Sequence, residues 1–471
     1  MSARALFVGG TSSNAGKSWM ATAICAWMRE RGVAVAPFKA QNMSNNSYPC
    51  AQGGEIGRAQ VAQAEACGLD PEPAMNPILL KPNGDGSSQV IVNGRVWKTL
   101  PARGYYEHAG ELRAHVRAAY ESLARRFEFI VVEGAGSVCE LNLRAVDLAN
   151  LGLVTQLGTP WILVADIERG GVFASVIGTV GLLSPEERAL FRGFAVNKFR
   201  GDRSLFDEGV HILEARTGAP CLGVFPFAPD IALDAEDTLA VETRPLRPAP
   251  VGARIAIVRL PCISNATDFR LLTWAEWITH PPAHDFDFII LPGTKSTIAD
   301  LGWLRETGLA AWVREQHRRG ATVMGICGGF QMLGRSISDP ARVESSATFT
   351  EGLGLLPAET VMEPAKTTVV RTASSRGGVR FSAYEIHLGE TTVDPPVQPF
   401  ARLEDGRTDG ACIERVIGTY LHGAFEHPGV CAETFGVAVG AVSKADHYRR
   451  LGEWFGAHVT RPDVFDCEAR V

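Results

Sequence analysis

Gly10-Thr11-Ser12-Ser13-Asn14-Ala15-Gly16-Lys17-Ser18 follows the apolar run Ala5–Val8 and opens a segment in which Trp19, Ala23, Trp27 and Ile24, Met28 recur at helical spacing. Strand, glycine turn and helix in that order make a phosphate cradle, because backbone N–H groups converge at a helix N-terminus. Thr11, Asn14, Ala15 and Gly16 form the loop, Lys17 reaches the outer phosphates of ATP, and Ser18 binds magnesium. The common pattern places its first glycine five positions before the second. Here Thr11 holds that position and Gly10 lies one residue too early, so the loop is a variant.

Outward from this loop, Phe129–Val132, Trp161–Ala165 and Phe194–Val196 are short apolar runs that end in polar residues, with helical segments such as Glu111–Arg125 between some of them. Buried parallel strands read this way, and ligands gather at their carboxyl edge. Glu133, Asp166 and Asn197-Lys198 fall there. Glu133 is placed to face magnesium beside Ser18, or is an acidic strand end before a glycine turn. Asp166 has two readings, a second metal or water ligand and a helix cap. Asn197 and Lys198 sit where a nucleotide base would be read. Lys39-Ala40-Gln41-Asn42-Met43-Ser44-Asn45-Asn46-Ser47 is dense in amides and hydroxyls at the same edge. It is either a solvated loop or, through Lys39, Gln41, Asn42, Ser44, Asn45 and Asn46, a surface for a substrate bearing carboxylates and amides.

Residues 226–252 change character, with Pro226, Pro229, Pro245, Pro248 and Pro250 around the acidic Asp234–Asp237. The expected layout is a first domain over 1–235, a linker over 236–252, a second domain over 253–445 and a C-terminal tail over 446–471. The second domain opens another α/β pattern with Arg254–Val258, Phe288–Leu291 and Thr322–Ile326. The last of these runs into Gly325-Ile326-Cys327-Gly328-Gly329, a cysteine at a sharp strand-to-helix turn. Such an elbow exposes a nucleophile, and the following helix N-terminus favours a thiolate. The Gly328 amide points toward a tetrahedral oxyanion, and Gly293, in Leu291-Pro292-Gly293-Thr294-Lys295, offers a second donor. His422, in Gly418-Thr419-Tyr420-Leu421-His422-Gly423, is the candidate base. A thiol amidase and a phosphate site in one chain suggest that liberated ammonia meets a carboxylate activated as an acyl phosphate.

Composition sets bounds. At 471 residues, two domains are the default, and 46% hydrophobic with 21% charged residues is ordinary for a globular chain. A net charge of −6 argues against nucleic acid as the main partner. No apolar run of 18 residues and no secretory leader are visible, so neither a membrane span nor export is expected. The ten cysteines are scattered without metal-ligand spacing, which fits free thiols in a reducing cytoplasm.

Together these motifs resemble the cobyric acid synthase family of cobalamin biosynthesis. Gly10–Ser18 is similar to the variant loop of its dethiobiotin-synthetase-like domain, and Phe38–Asn46 to its most characteristic stretch. Leu260–Phe269, Leu291–Ser296, Gly325–Gly334, Tyr384-Glu385-Ile386-His387 and Tyr420–Gly423 resemble its class I (triad-type) glutamine amidotransferase domain. The resemblance implies four ATP-dependent amidations of adenosylcobyrinic acid a,c-diamide, at the b, d, e and g side chains, giving adenosylcobyric acid. It implies Cys327 as the thiol attacking L-glutamine, His422 as its base, and Lys17, Ser18 and Glu133 serving ATP and Mg2+. No tightly bound organic cofactor is expected, and a homo-oligomer stays open. Two positions depart from the family pattern. Residue 424 is Ala where a glutamate two after the histidine is usual, leaving Glu426 as a substitute if the loop permits, and residue 383 is Ala where glycine is usual. A related amidotransferase with another carboxylate substrate and a non-catalytic partitioning-type ATPase are the alternatives.

Overall fold

The computed structural model describes residues 3–83, 86–233, 248–440 and 443–466. Two six-stranded sheets organise them. The first is parallel throughout, in the order Cys221–Pro226, Phe191–Phe199, Trp161–Asp166, Arg4–Gly10, Phe129–Glu133, Val35–Phe38. Its apolar runs are continuous because both faces are covered, and the two-residue period of the strands divides them. Phe7, Ile130, Val132 and Leu163 face one core layer, while Leu6, Val8, Val131 and Val164 face the other.

Register brings the chemistry to one edge. Val8 pairs with Glu133 and Asp166 with Asn197, so the phosphate loop, Glu133, Asp166 and Asn197 all emerge at the carboxyl end of the sheet. Helix Lys17–Glu30 follows the loop and is buried along most of its length.

The second sheet runs Glu276–Ile278, Ile255–Val258, Phe288–Leu291, Thr322–Ile326, Val416–Thr419, Ala411–Ile413, with only the last strand antiparallel. Two smaller four-stranded sheets accompany it, one antiparallel and one mixed, with Ser336–Ser338 parallel to Ala358–Val361. The pairing of Leu291 with Gly325 and of Ile326 with Thr419 delivers Gly293, Cys327 and His422 to one sheet edge.

Of residues 446–471, set apart from sequence as a tail, the described part to 466 returns to the first domain. Ser443 caps helix Lys444–His458 by accepting a bond from the Asp446 amide. Tyr448, Leu451, Trp454 and Phe455 lie in the same core layer as Trp27 and Phe225. Phe455 stacks on Phe225 at 5.5 Å and meets Trp27 edge-on at 5.4 Å. The approach needs a small residue: a Cβ on Gly452 would sit 3.1 Å from the Trp27 backbone nitrogen. Of the linker expected over 236–252, the part up to 247 lies outside the described residues, as does the acidic stretch 234–237.

The domains touch through the asparagine-rich segment. Asn265 donates its backbone N–H to Asn46 Oδ1 at 2.7 Å, and Ser47 donates its own to Asn265 Oδ1 at 3.1 Å. Tyr48 packs on Tyr384 with centroids 4.7 Å apart. Among the described residues no helix is long and apolar enough to cross a membrane. The nine described cysteines are free thiols.

Candidate active sites

At the first site, Lys17 Nζ donates to the carbonyls of Ser12 (3.0 Å) and Gly136 (2.7 Å), so it bends over the phosphate loop. Gly16 has φ 100°, and a Cβ there would lie 2.0 Å from Asn197 Nδ2. Only glycine satisfies both the left-handed backbone and the close approach. Asn197 Nδ2 donates to the Ala15 carbonyl at 3.1 Å, and Lys198 Nζ to the Asn14 carbonyl at 2.6 Å. Both residues expected to read a base therefore hold the backbone of the loop.

Glu133 is wholly buried and gathers polar groups. Ser18 Oγ donates to it at 2.7 Å, Lys39 Nζ at 2.8 Å, and Gln63 Nε2 reaches its second oxygen. Ser18 and Glu133 thus converge as the sequence suggests. A hydroxyl and a carboxylate oxygen beside a phosphate cradle are hard donors that suit Mg2+, which keeps several waters and needs few protein ligands. Consistent with so sparse a donor set, the described residues hold no group of three or more His, Cys, Asp or Glu able to bind a metal. Asp166 pairs with Lys198 Nζ at 2.8 Å and accepts the Glu168 amide at 2.8 Å; it caps no helix, since the next one, Val172–Gly181, has Gly171 at its N-cap.

The segment read as a substrate surface is mostly interior. Lys39, Asn42, Ser44 and Asn46 are buried. Asn42 Nδ2 donates to Gln60 Oε1 at 2.9 Å, the Ser44 hydroxyl accepts the Asn46 amide at 3.0 Å, and Gln41 accepts from the Tyr105 hydroxyl. Amides and hydroxyls at a sheet edge suit a buried polar network as well as a bound substrate. The segment starts on Glu133 through Lys39 and ends at the second site, where Asn45 lines the cavity beside Cys327 and Asn46 holds Asn265.

At that second site Cys327 has φ 54° and ψ −111°, a strained conformation for a residue with a Cβ. Its amide donates to the Thr419 carbonyl at 2.8 Å, which ties the elbow to the strand leading to His422. Its thiol lies 3.5 Å from the Ile386 carbonyl. Gly293 packs on the imidazole, since a Cβ there would be 2.7 Å from His422 Cε1. Gly328 begins the helix after the cysteine, where amides have no intrahelical acceptor.

His422 is fully buried. Its Nδ1 lies 2.7 Å from Asp268 Oδ2, and the Gly423 amide donates to Asp268 Oδ1 at 2.8 Å. Burial alone would depress the imidazole. The Asp268 carboxylate outweighs it, Cys327 adds in the same direction, and the group is pushed up to about 10. Tyr384 stacks on the ring at 5.3 Å. Glu426 does not serve as the third residue; it pairs with Arg58, with Arg270 at 3.2 Å and with Lys444 at 3.1 Å. Asp268 belongs to the quoted stretch Leu260–Phe269, but no local spacing marks it, because its partner lies 154 residues away. Gln331 was also missed: its amide joins the Leu388 carbonyl (2.9 Å), the Tyr420 hydroxyl (3.1 Å) and the Thr297 hydroxyl (3.1 Å). Its position four after Cys327 on the following helix was the available signal.

A buried thiol, an imidazole and a carboxylate in series can attack a carboxamide and release ammonia. Comparison with known proteins agrees. Residues 6–240 match the CobQ/CobB/MinD/ParA nucleotide binding domain, and residues 254–430 the CobB/CobQ-like glutamine amidotransferase domain. The chain is 48% identical over 434 residues to the cobyric acid synthase of Rhodococcus jostii (strain RHA1), covering 90% of this chain and 84% of that protein. It is 46% identical over 442 residues to the cobyric acid synthase of Bacteroides fragilis (strain YCH46), covering 90% and 88%. A crystal structure of a glutamine amidotransferase covers 43% of this chain and 98% of its own at 17% identity and TM-score 0.29, too loose a likeness to add to this.

Proposed function

The chain belongs to the cobyric acid synthase family of enzymes, and from that premise we propose that it amidates the b, d, e and g carboxylates of adenosylcobyrinic acid a,c-diamide, using ATP and glutamine. The observation that carries the proposal is the path of residues 39–46, which joins Glu133 in the nucleotide-binding domain to the cavity of Cys327 in the amidotransferase domain.

In the second domain, the Cys327 thiolate attacks the glutamine carboxamide. Its carbonyl oxygen becomes an oxyanion beside the amides of Gly328 and Gly293. His422, held in orientation by Asp268, gives its proton to the leaving nitrogen, so ammonia departs and a glutamyl thioester remains. Water, deprotonated by the same imidazole, then releases glutamate and restores the thiol. In the first domain, the backbone of Thr11–Gly16 and Lys17 hold the phosphates of ATP, with Asn197 and Lys198 acting through the loop carbonyls. Ser18 and Glu133 would hold magnesium, whose charge eases transfer of the terminal phosphoryl group to a corrinoid carboxylate. Lys39 shares one oxygen of Glu133 with Ser18, and Gln63 holds the other. Ammonia attacks the resulting acyl phosphate and displaces phosphate. Passing between the sites avoids protonation, which would remove its nucleophilic pair. A synthetase unit to about residue 235 and an amidotransferase unit from 253 divide the two chemistries, a reading supported by the matched stretches 6–240 and 254–430.

Incubation with the a,c-diamide, ATP, Mg2+ and glutamine, followed by mass spectrometry, tests this. Four successive replacements of hydroxyl by amide are expected. Cys327→Ala should lose glutamine-dependent product but keep ammonia-dependent product, and Lys17→Ala should lose both. Amidation that proceeds without ATP would overturn the reading.

A further inference from the structure

The cavity beside Cys327 is lined by charged groups that a carboxamide alone does not require. Lys81, Lys295 and Lys366 line it. The buried Glu55 carboxylate contacts both Lys81 and Lys366, so one anion is shared by two cations. Lys295 has no ion pair or side-chain hydrogen bond among the described residues, and burial, then Lys366, holds its ammonium below the ordinary lysine range. Glu344 lines the same cavity, near enough to Lys295 for the two charges to attract. Its oxygens accept from the Ile298 amide at 3.1 Å and the Thr297 hydroxyl at 3.2 Å, and no cation pairs with it among the described residues. Burial pushes it up to about 7. Asn45 Oδ1 is buried without a hydrogen-bond partner and also lines the cavity.

Three lysines, an acid with no ion pair within 4 Å among the described residues, an amide oxygen without a donor and the thiol line one cavity, and together they are the complement of a zwitterion with an amide side chain. We propose that Lys295, with Lys366, binds the α-carboxylate of glutamine, that Glu344 and Asn45 Oδ1 bind its α-ammonium, and that Asn45 and Lys81 make the glutamine site a product of both domains. This rests on the glutaminase reading above. Neither Asn45 nor Lys81 belongs to the amidotransferase domain, so an isolated second domain would lack part of the wall that recognises the amino acid.

The test compares hydrolysis of three amides by the full-length enzyme: glutamine, its deamino analogue glutaramate, and its decarboxy analogue 4-aminobutanamide. Wild type is expected to prefer glutamine over each by about ten- to hundredfold in kcat/KM, the range for losing one buried charge-assisted bond. Glu344→Gln should erase the preference over glutaramate and keep that over 4-aminobutanamide. Lys295→Met should do the reverse, and Lys295→Arg should restore it. Asn45→Ala, altered in the first domain, should weaken discrimination against glutaramate. Because each ratio is internal to one protein, partial misfolding cancels. Variants that slow all three amides alike, with ratios unchanged, overturn this proposal and leave the glutaminase reading standing. A wild type that hydrolyses none of the three overturns the glutaminase reading itself, and this proposal with it.

Discussion

Asp268 Oδ2 lies 2.7 Å from Nδ1 of His422, and the same carboxylate receives the Gly423 amide at 2.8 Å. The carboxylate expected two residues after the histidine is absent, and an acid from a distant loop fills its place. That loop begins at Asn265, which is held from the other domain by Asn46. The orientation of the His422 imidazole is thus connected by hydrogen bonds to the nucleotide-binding domain.

Asp268→Asn keeps the shape of the pair but presents an amide to Nδ1, which favours the wrong tautomer. Glutamine hydrolysis should fall by about 10²- to 10⁴-fold, while ammonia-dependent amidation persists. Parallel assays with the two nitrogen donors check this, and equal loss of both would count against the assignment.

The same pair makes stability depend on pH. His422 is raised from 6.5 to about 10, so the folded state binds its proton more tightly than the unfolded chain. The stabilisation is complete below about 6.5 and is lost as pH rises toward 10. Urea unfolding across that window should show stability falling with pH in the wild type and a shallower fall in Asp268→Asn. Superimposable slopes would contradict the ion pair.

Gly16→Ala tests the phosphate loop. With φ at 100° and Asn197 Nδ2 only 2.0 Å from the new Cβ, the loop must shift. ATP binding by titration calorimetry, and amidation with either nitrogen donor, should both be lost. Undiminished affinity would show that the loop does not cradle phosphate.

Phe455→Ala should destabilise the first domain by about 3–5 kcal/mol, the usual range for deleting a buried ring. Phe455 touches Trp27, Phe225 and Phe465 there. Unfolding followed by tryptophan fluorescence checks the magnitude. A change below about 1 kcal/mol would mean that the helix is dispensable.

Much of this architecture is legible in the chain because strands such as Phe129–Val132 and Thr322–Ile326 are continuous apolar runs that only a covered parallel sheet accommodates. Lys17, Ser18 and Cys327 could be read because each sits at a local turn whose geometry depends on its immediate neighbours. Asp268 could not, since its role is defined by a partner on another element. Lys39–Ser47 is ambiguous in the sequence for a related reason: polarity reveals a need for hydrogen bonds and leaves open whether water, substrate or protein supplies them. Helix Lys444–His458 did carry a signal, the spacing of Tyr448, Leu451 and Phe455, but only the fold shows which core receives it.

Passage of nitrogen from Cys327 to the phosphate site without leaving the protein is read out by isotopically labelled glutamine in a large excess of unlabelled ammonium. Amides formed on the corrinoid should carry the glutamine label at a fraction far above that of the bulk ammonium pool. Product whose label matches the bulk pool would contradict the account.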